Sequence, residues 1–188
     1  MSKAHSATQV GNPILRKSLK IVTKKALLSP SVLDCLASMR SVNNAMKGVG
    51  ISANQVGYNL RISLIHIKKT NNRPDAKVSP ERIMFNPKII HYPPASEYMW
   101  EGCLSVAHAD LFVPVLRHKR VKLQYMNIDG VVVEVTLRGL EAHVAQHEVD
   151  HLHGVVFLDR DIDKTRYMSS DEYRSMRKKE KERRLESH

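Results

Sequence analysis

The chain has 188 residues, 42% of them hydrophobic, enough for one domain with a substantial core. Thirty Lys and Arg against 19 Asp and Glu give a formal charge of +11, which suggests an anionic partner without saying whether that is nucleic acid, a membrane surface or merely counter-ions. No apolar run approaches a membrane span, residues 1–6 carry no hydrophobic signal core, and the two cysteines, Cys35 and Cys103, make no disulfide framework. The expectation is an intracellular protein of the cytoplasm with no membrane partner.

In chain order, Ser29-Pro30 is a helix-start pair, serine as cap and proline at the first helical position, where its missing N–H costs nothing. Val32, Leu33, Leu36, Met39 and Met46 mark an amphipathic helix to Lys47, ended by Gly48. The next stretch, Gly48-Val49-Gly50-Ile51-Ser52-Ala53-Asn54-Gln55, formally fits G-x-G-x-x-A. A dinucleotide site needs a strand before those glycines and a helix after them, and here the order is reversed. The glycines are therefore read as places where backbone passes close to a ligand or another segment, and Gln55 offers an amide donor.

Residues 61–67 and 120–125 are short and β-branched, and residues 71–75 read as a loop. Ile128-Asp129-Gly130 turns the second of these strands into 131–137, a hairpin. Gly139 precedes a further helix and Gly154 closes it. Ser169-Ser170-Asp171-Glu172 has the form of a capping box, so a last helix begins there. From 173 to 188 it carries seven Lys/Arg against three Glu, with Lys178–Glu182 and Glu180–Arg184 as bracing pairs and little apolar stripe to fold it back. The order helix, strands, helix without βαβ alternation predicts an α+β fold: mainly antiparallel strands packed around a central helix, plus a C-terminal helix.

That central helix carries Gln146-His147-Glu148-Val149-Asp150-His151. At 3.6 residues per turn His147 and His151 share one face, extended by Leu140 and Val144, and Glu148 sits beside them as a general base that is not itself a ligand. Two imidazoles leave a metal site incomplete. Cys103, Glu141, Asp159, Asp161 and Glu172 are the candidates for a third ligand, and Glu101-Gly102-Cys103-Leu104-Ser105 singles out Cys103, since the flanking glycine permits close approach and a thiolate binds transition metals strongly. Taken alone, a cysteine in an apolar stretch is more often a small buried hydrophobe.

The three stretches 48–55, 101–105 and 146–151 together resemble peptide deformylase, over a span from about residue 10 to residue 159. The resemblance implies a catalytic domain over 1–165 followed by a basic C-terminal helix over 166–188. It implies a hydrolase that removes the formyl group from the N-terminal formyl-methionine of new polypeptides in a bacterial cytoplasm, using Fe2+, for which Zn2+, Ni2+ or Co2+ can substitute. Cys103, His147 and His151 stand at the ligand positions and Glu148 at the acid–base position. The Gln55 amide and the Leu104 backbone N–H stand as oxyanion donors, and Val49, Gly50, Ile51, Glu101, Gly102, Leu140, His143 and Val144 line the substrate site.

The chain departs from that pattern in several places. Ser52 and Asn54 replace residues that do not touch the chemistry. Asp110 stands where an arginine that holds the peptide is expected, and Val115 where an arginine pairs with Glu101, with Arg117 as a substitute through a shifted loop. His143 stands where an apolar residue lines the methionine pocket, which predicts an altered substrate preference. The competing readings are a zinc peptidase, which shares HExxH but takes its third ligand from a downstream His or Glu, and a weakly active relative that binds ribosome or RNA through the basic tail.

Overall fold

A computed structural model describes residues 6–70, 76–160 and 162–186. The loop expected at 71–75, the residues at 1–5 and Asp161 lie outside the described residues. In chain order the elements are α1 (Pro30–Ala45), β1 (Gly50–Ser52), β2 (Ile62–Ile65), β3 (Arg82–His91), β4 (Ser96–Glu101) and β5 (Leu111–His118). They continue with β6 (Arg120–Met126), β7 (Val132–Arg138), α2 (Gly139–Leu152), β8 (Met168–Ser169) and α3 (Ser170–Glu186). Strands β1-β2-β3-β6-β7 form one sheet and β4-β5-β8 a second, with every pairing antiparallel. The fold is α+β, as expected.

Helix α2 is the centre of the molecule. From 142 to 152 every residue but His147 is buried. Ala142, Val144, Ala145 and Val149 pack against Ile65, Met84, Val121, Leu123 and Leu137 of the five-stranded sheet. Leu152 joins α1 in a separate cluster with Cys35, Leu36, Met39, Ile51 and Ile62. Each of the Val, Leu, Ile and Met side chains among these stabilises the fold by about 1.5–3 kcal/mol on full burial, so α2 is fixed from two sides.

Local chemistry explains most boundaries. Ser29 accepts the Val32 N–H with Pro30 at the first helical position, as read from the sequence. Helix α1 ends earlier than expected, and Lys47 (φ 55), not Gly48, takes the left-handed conformation. Gly48 packs closely instead: a Cβ there would stand 2.2 Å from Asn43 Oδ1 and 3.0 Å from Leu104 Cδ1, so the Asn43 side chain would have to move. Gly154 (φ 75) closes α2 as expected, and a Cβ on it would meet the Arg16 backbone at 2.5 Å.

Strands β3, β4 and β5 went unread in the sequence. Pro87 and Pro114 argue against strands. Pro87 is tolerated because the β3–β6 register breaks between Phe85 and Lys88, with Asn86 at φ 53. Pro114 is tolerated because β8 pairs only with Leu111 and Phe112, so no full strand flanks that side of β5.

The C-terminal helix is joined more firmly than its weak apolar stripe predicts. Ser169 Oγ accepts the Glu172 N–H at 3.3 Å, the cap expected of the box. Asp110 accepts from the Ser170 hydroxyl and, at 3.3 Å, from the Ser170 N–H. Tyr173 stacks on Phe112 with centroids 4.5 Å apart and 8° between planes. Along α3 the described ion pairs include Arg174–Asp171 and Arg177–Glu180; the expected Lys178–Glu182 pair is not found among them, and the Arg184 side chain lies outside the described residues.

Candidate metal centre

Helix α2 sets the His147 and His151 rings 4.9 Å apart. Cys103 arrives from β4 through Gly102 and caps the helical turn Leu104–Ala109, its Sγ accepting the Ser105 N–H at 3.4 Å. One donor atom from each of Cys103, His147 and His151 lies within 4.8 Å of the others, and Cys103 Sγ stands 3.3 Å from His151 Nε2. Among the described residues this is the one such cluster of three. The other candidates for third ligand are engaged elsewhere: Glu141 pairs with Arg82, Asp159 pairs with Arg16, and Glu172 lies in the first turn of α3.

The donor set fits a divalent transition metal, since one thiolate and two imidazoles leave a coordination position open. The electrostatics of the metal-free protein point the same way. Burial opposes a charge on His147, yet Cys103 and Glu101 hold its pKa well above the ordinary histidine range. Burial, reinforced by the charge on His147, holds His151 well below it. The cluster therefore favours a positive charge beside Cys103, which a bound metal would supply in place of a proton.

A buried charge network orients His147. Its Nδ1–H donates to Glu101 Oε2 at 2.7 Å, which leaves Nε2 for the metal side. Glu101 Oε1 also accepts from Arg117 Nε at 2.6 Å and from His143 Nε2 at 2.8 Å. Arg117 Nη1 reaches Asp150 Oδ2 at 2.7 Å, and Arg160 donates to the same carboxylate. Burial would raise the pKa of Glu101, but His143, His147 and Arg117 hold it well below the ordinary carboxylate range.

Three expectations meet specific contacts in the structure. Glu101 and His143, read as substrate contacts, meet each other through His143 Nε2, while the buried His143 Nδ1 has no hydrogen-bond partner among the described residues. Arg117 does pair with Glu101, but without a shifted loop. It stands two residues beyond Val115 on β5, and alternate strand residues share a face, so its long side chain reaches the same carboxylate. Asp110, in the left-handed conformation (φ 48), caps the start of α3.

Around Glu148 the fit is close. Its carboxyl is buried, and burial pushes its pKa from the ordinary 4.5 up to about 7, against the opposing effects of His147 and the Ser52 hydroxyl. A Cβ on Gly50 would stand 2.5 Å from Glu148 Oε1 and 2.7 Å from Val144 Cγ1, so glycine at this position makes room for the carboxylate. Ser52 Oγ lies 2.8 Å from Glu148 Oε2, which overturns the expectation that Ser52 stays clear of the chemistry. Asn54 donates its amide to the His151 carbonyl at 2.8 Å.

Gln55 turns its Nε2 toward Cys103 Sγ, at 3.6 Å, and Ser105 Oγ, at 3.1 Å, while its Oε1 is held by the Ser52 N–H. Leu104 opens a helical turn, where the first N–H has no partner within the turn. Ile51 is fully buried under α1, whereas Val49, Leu140 and Val144 belong to the cluster between α2 and the five-stranded sheet. Gly102 lies under the Phe112 ring, whose atoms would stand 2.6–2.9 Å from a Cβ there. Ser52, Asp150 and Phe112 were missed as parts of this site. A buried Asp inside the HEVDH run was the available signal, because a buried carboxylate needs cations.

The family model described as polypeptide deformylase matches residues 5–167. A peptide deformylase of Thermotoga neapolitana is 38% identical over 150 residues, covering 80% of this chain and 82% of the relative. Peptide deformylase 2 of Nostoc sp. is 32% identical over 170 residues, covering 89% of this chain and 92% of the relative. Among solved structures, the Met-Ala-Ser-bound class I type b enzyme from Acinetobacter baumannii superposes with a TM-score of 0.79 at 32% identity, covering 86% of this chain and all of that one.

Proposed function

The chain belongs to the polypeptide deformylase family, metal-dependent hydrolases that remove the formyl group from the N-terminus of new polypeptides, and from that premise we propose how its residues do so. Cys103, His147 and His151 hold the metal, Glu148 carries the proton, and Gln55 with the Leu104 N–H stabilises the oxyanion. The observation that carries the assignment is the convergence of one thiolate and two imidazoles within 4.8 Å, on the helix that also bears a buried Glu148. When bound, the metal supplies Lewis-acid chemistry, polarising the formyl carbonyl and lowering the pKa of water toward about 7.

Glu148 takes a proton from the attacking water and returns it to the nitrogen of the departing methionine, since an amine cannot leave as an anion. The Gln55 amide, fixed through its Oε1 by the Ser52 N–H at 2.8 Å, donates to the negative oxygen that develops on the former formyl carbonyl. Formate and a free N-terminus result. Glu101 keeps His147 in one tautomer and one orientation throughout, and Arg117 keeps Glu101 charged.

The departures that predicted an altered preference now have other partners: His143 with Glu101, Asp110 with Ser170, and Arg117 in place of an arginine at 115. They favour the ordinary substrate, a peptide led by formyl-methionine, and the Met-Ala-Ser bound by the Acinetobacter relative is consistent with this. Cysteine as third ligand disfavours the zinc peptidase reading.

Fe2+ is the proposed native metal, with Zn2+, Ni2+ and Co2+ as substitutes, the cytoplasm the proposed location and 1–165 the proposed catalytic domain. No helix among the described residues is long and apolar enough to cross a membrane. The cations of α3 are proposed to contact ribosomal RNA phosphates where nascent chains emerge. Formate release from a formyl-Met peptide by protein loaded anaerobically with each metal in turn tests the metal assignment. Iron is expected to give the highest kcat, and equal or lower kcat with iron than with zinc overturns it.

A further inference from the structure

Buried hydroxyls beside the proton carrier have no place yet in the reaction. Ser52 and Ser63 are both fully buried, on β1 and β2, whose register sets them directly opposite each other. Their hydroxyl oxygens are 2.9 Å apart. Ser52 Oγ lies 2.8 Å from Glu148 Oε2 and 3.0 Å from the Glu148 carbonyl oxygen. A hydroxyl has one proton to give. With Ser63 donating to Ser52, the Ser52 proton is directed at Glu148, whose carboxylate is the stronger acceptor of the two on offer.

We propose that Ser52 is a positioning residue for catalysis: its hydroxyl, backed by Ser63, holds Oε2 of Glu148 and leaves Oε1 as the oxygen that exchanges the proton. The geometry on the other side completes the clamp. Oε1 lies against Gly50, where a Cβ would approach to 2.5 Å, so the carboxylate is confined between a donor and a bare backbone. A side chain confined in this way loses little conformational freedom when it takes up a proton, which is what preorganisation requires of a proton carrier. The same residue fixes the oxyanion donor through its main chain, because the Ser52 N–H holds Gln55 Oε1 at 2.8 Å. Removing the side chain alone leaves that second contact in place, so the two effects separate.

The inference rests on Glu148 being the proton carrier, and a double-mutant cycle tests it apart from that reading. In the metal-loaded enzyme, Ser52→Ala should lower kcat about tenfold with KM within about twofold of wild type and metal content unchanged, and Ser52→Thr, which keeps a hydroxyl, should recover most of the rate. In a Glu148→Gln background Ser52→Ala should have no further effect on kcat. Crystals of metal-free Ser52→Ala should show the Glu148 carboxylate turned away from the position it holds in metal-free wild type. Wild-type kcat in Ser52→Ala, a loss shared between KM and metal content, or an undiminished effect in the Glu148→Gln background each overturns the proposal. A near-normal rate in Glu148→Gln by itself overturns the role of Glu148 instead.

Discussion

Replacing Glu148 by glutamine should produce two opposite effects whose sizes follow from one burial. In the folded, metal-free protein the carboxyl is pushed from the ordinary 4.5 up to about 7, chiefly because burial penalises its charge. A raised carboxyl pKa means that stability is unaffected by this group below about pH 4.5 and is lost as pH rises toward about 7. At about 1.4 kcal/mol per pH unit, the full cost of ionising Glu148 in place is about 3 kcal/mol. Glutamine can accept the same Ser52 hydrogen bond and never ionises. Metal-free Glu148→Gln should therefore match wild type in urea denaturation near pH 4.5 and exceed it by about 3 kcal/mol at pH 8. The metal-loaded variant should keep its metal yet lose at least about 10²–10⁴-fold in kcat, the usual contribution of a general acid–base group. Equal stability of the two metal-free proteins at pH 8 would refute the burial argument, and a near-normal kcat would refute the assigned role.

Cys103→Ser should lose metal on dialysis while Cys35→Ser retains it, because the Cys35 thiol lies on the buried face of α1, its pKa pushed up to about 12, and belongs to no His, Cys or carboxylate cluster among the described residues; metal analysis of both proteins decides. Arg117→Leu leaves Glu101 and Asp150 without their shared cation and should cost about 3–5 kcal/mol in denaturant melts, with metal affinity falling as Glu101 releases His147. Truncation after Met176 keeps the Asp110–Ser170 and Phe112–Tyr173 contacts and should preserve activity on short peptides while abolishing salt-sensitive co-sedimentation with ribosomes; truncation after Tyr167 deletes those contacts and β8, and should lower the melting temperature as well.

The two histidine ligands were legible because their geometry is local, whereas Cys103 was legible through the motif around it and the family resemblance. Helical periodicity alone aligns His147 with His151, and the glycine before Cys103 marks a close approach. The α+β order and the hairpin at 128–130 were legible through turn residues and β-branched runs, and the Ser29 and Ser169 caps through hydroxyls at the right offset. What stayed hidden depends on residues far apart in the chain. Arg117 and Val115 differ by one strand repeat, and only the fold shows that the longer side chain reaches Glu101 across 16 residues. His143 reads as a pocket residue by resemblance, and the partner of its Nε2, Glu101 at the end of β4, lies 42 residues away in sequence. Asp110 reads as a lost arginine because its actual partner, Ser170, lies 60 residues on. Ser52 reads as a tolerated change for the same reason, since β1 and α2 meet only in three dimensions.

Formate release from formyl-Met-Ala-Ser tests the central claim most directly, with protein loaded anaerobically with one equivalent of Fe2+. One formate for each peptide consumed, with the Met-Ala-Ser product left intact and the reaction abolished by a chelator, is the predicted result. No formate from metal-replete protein, or cleavage of an internal peptide bond, would contradict it.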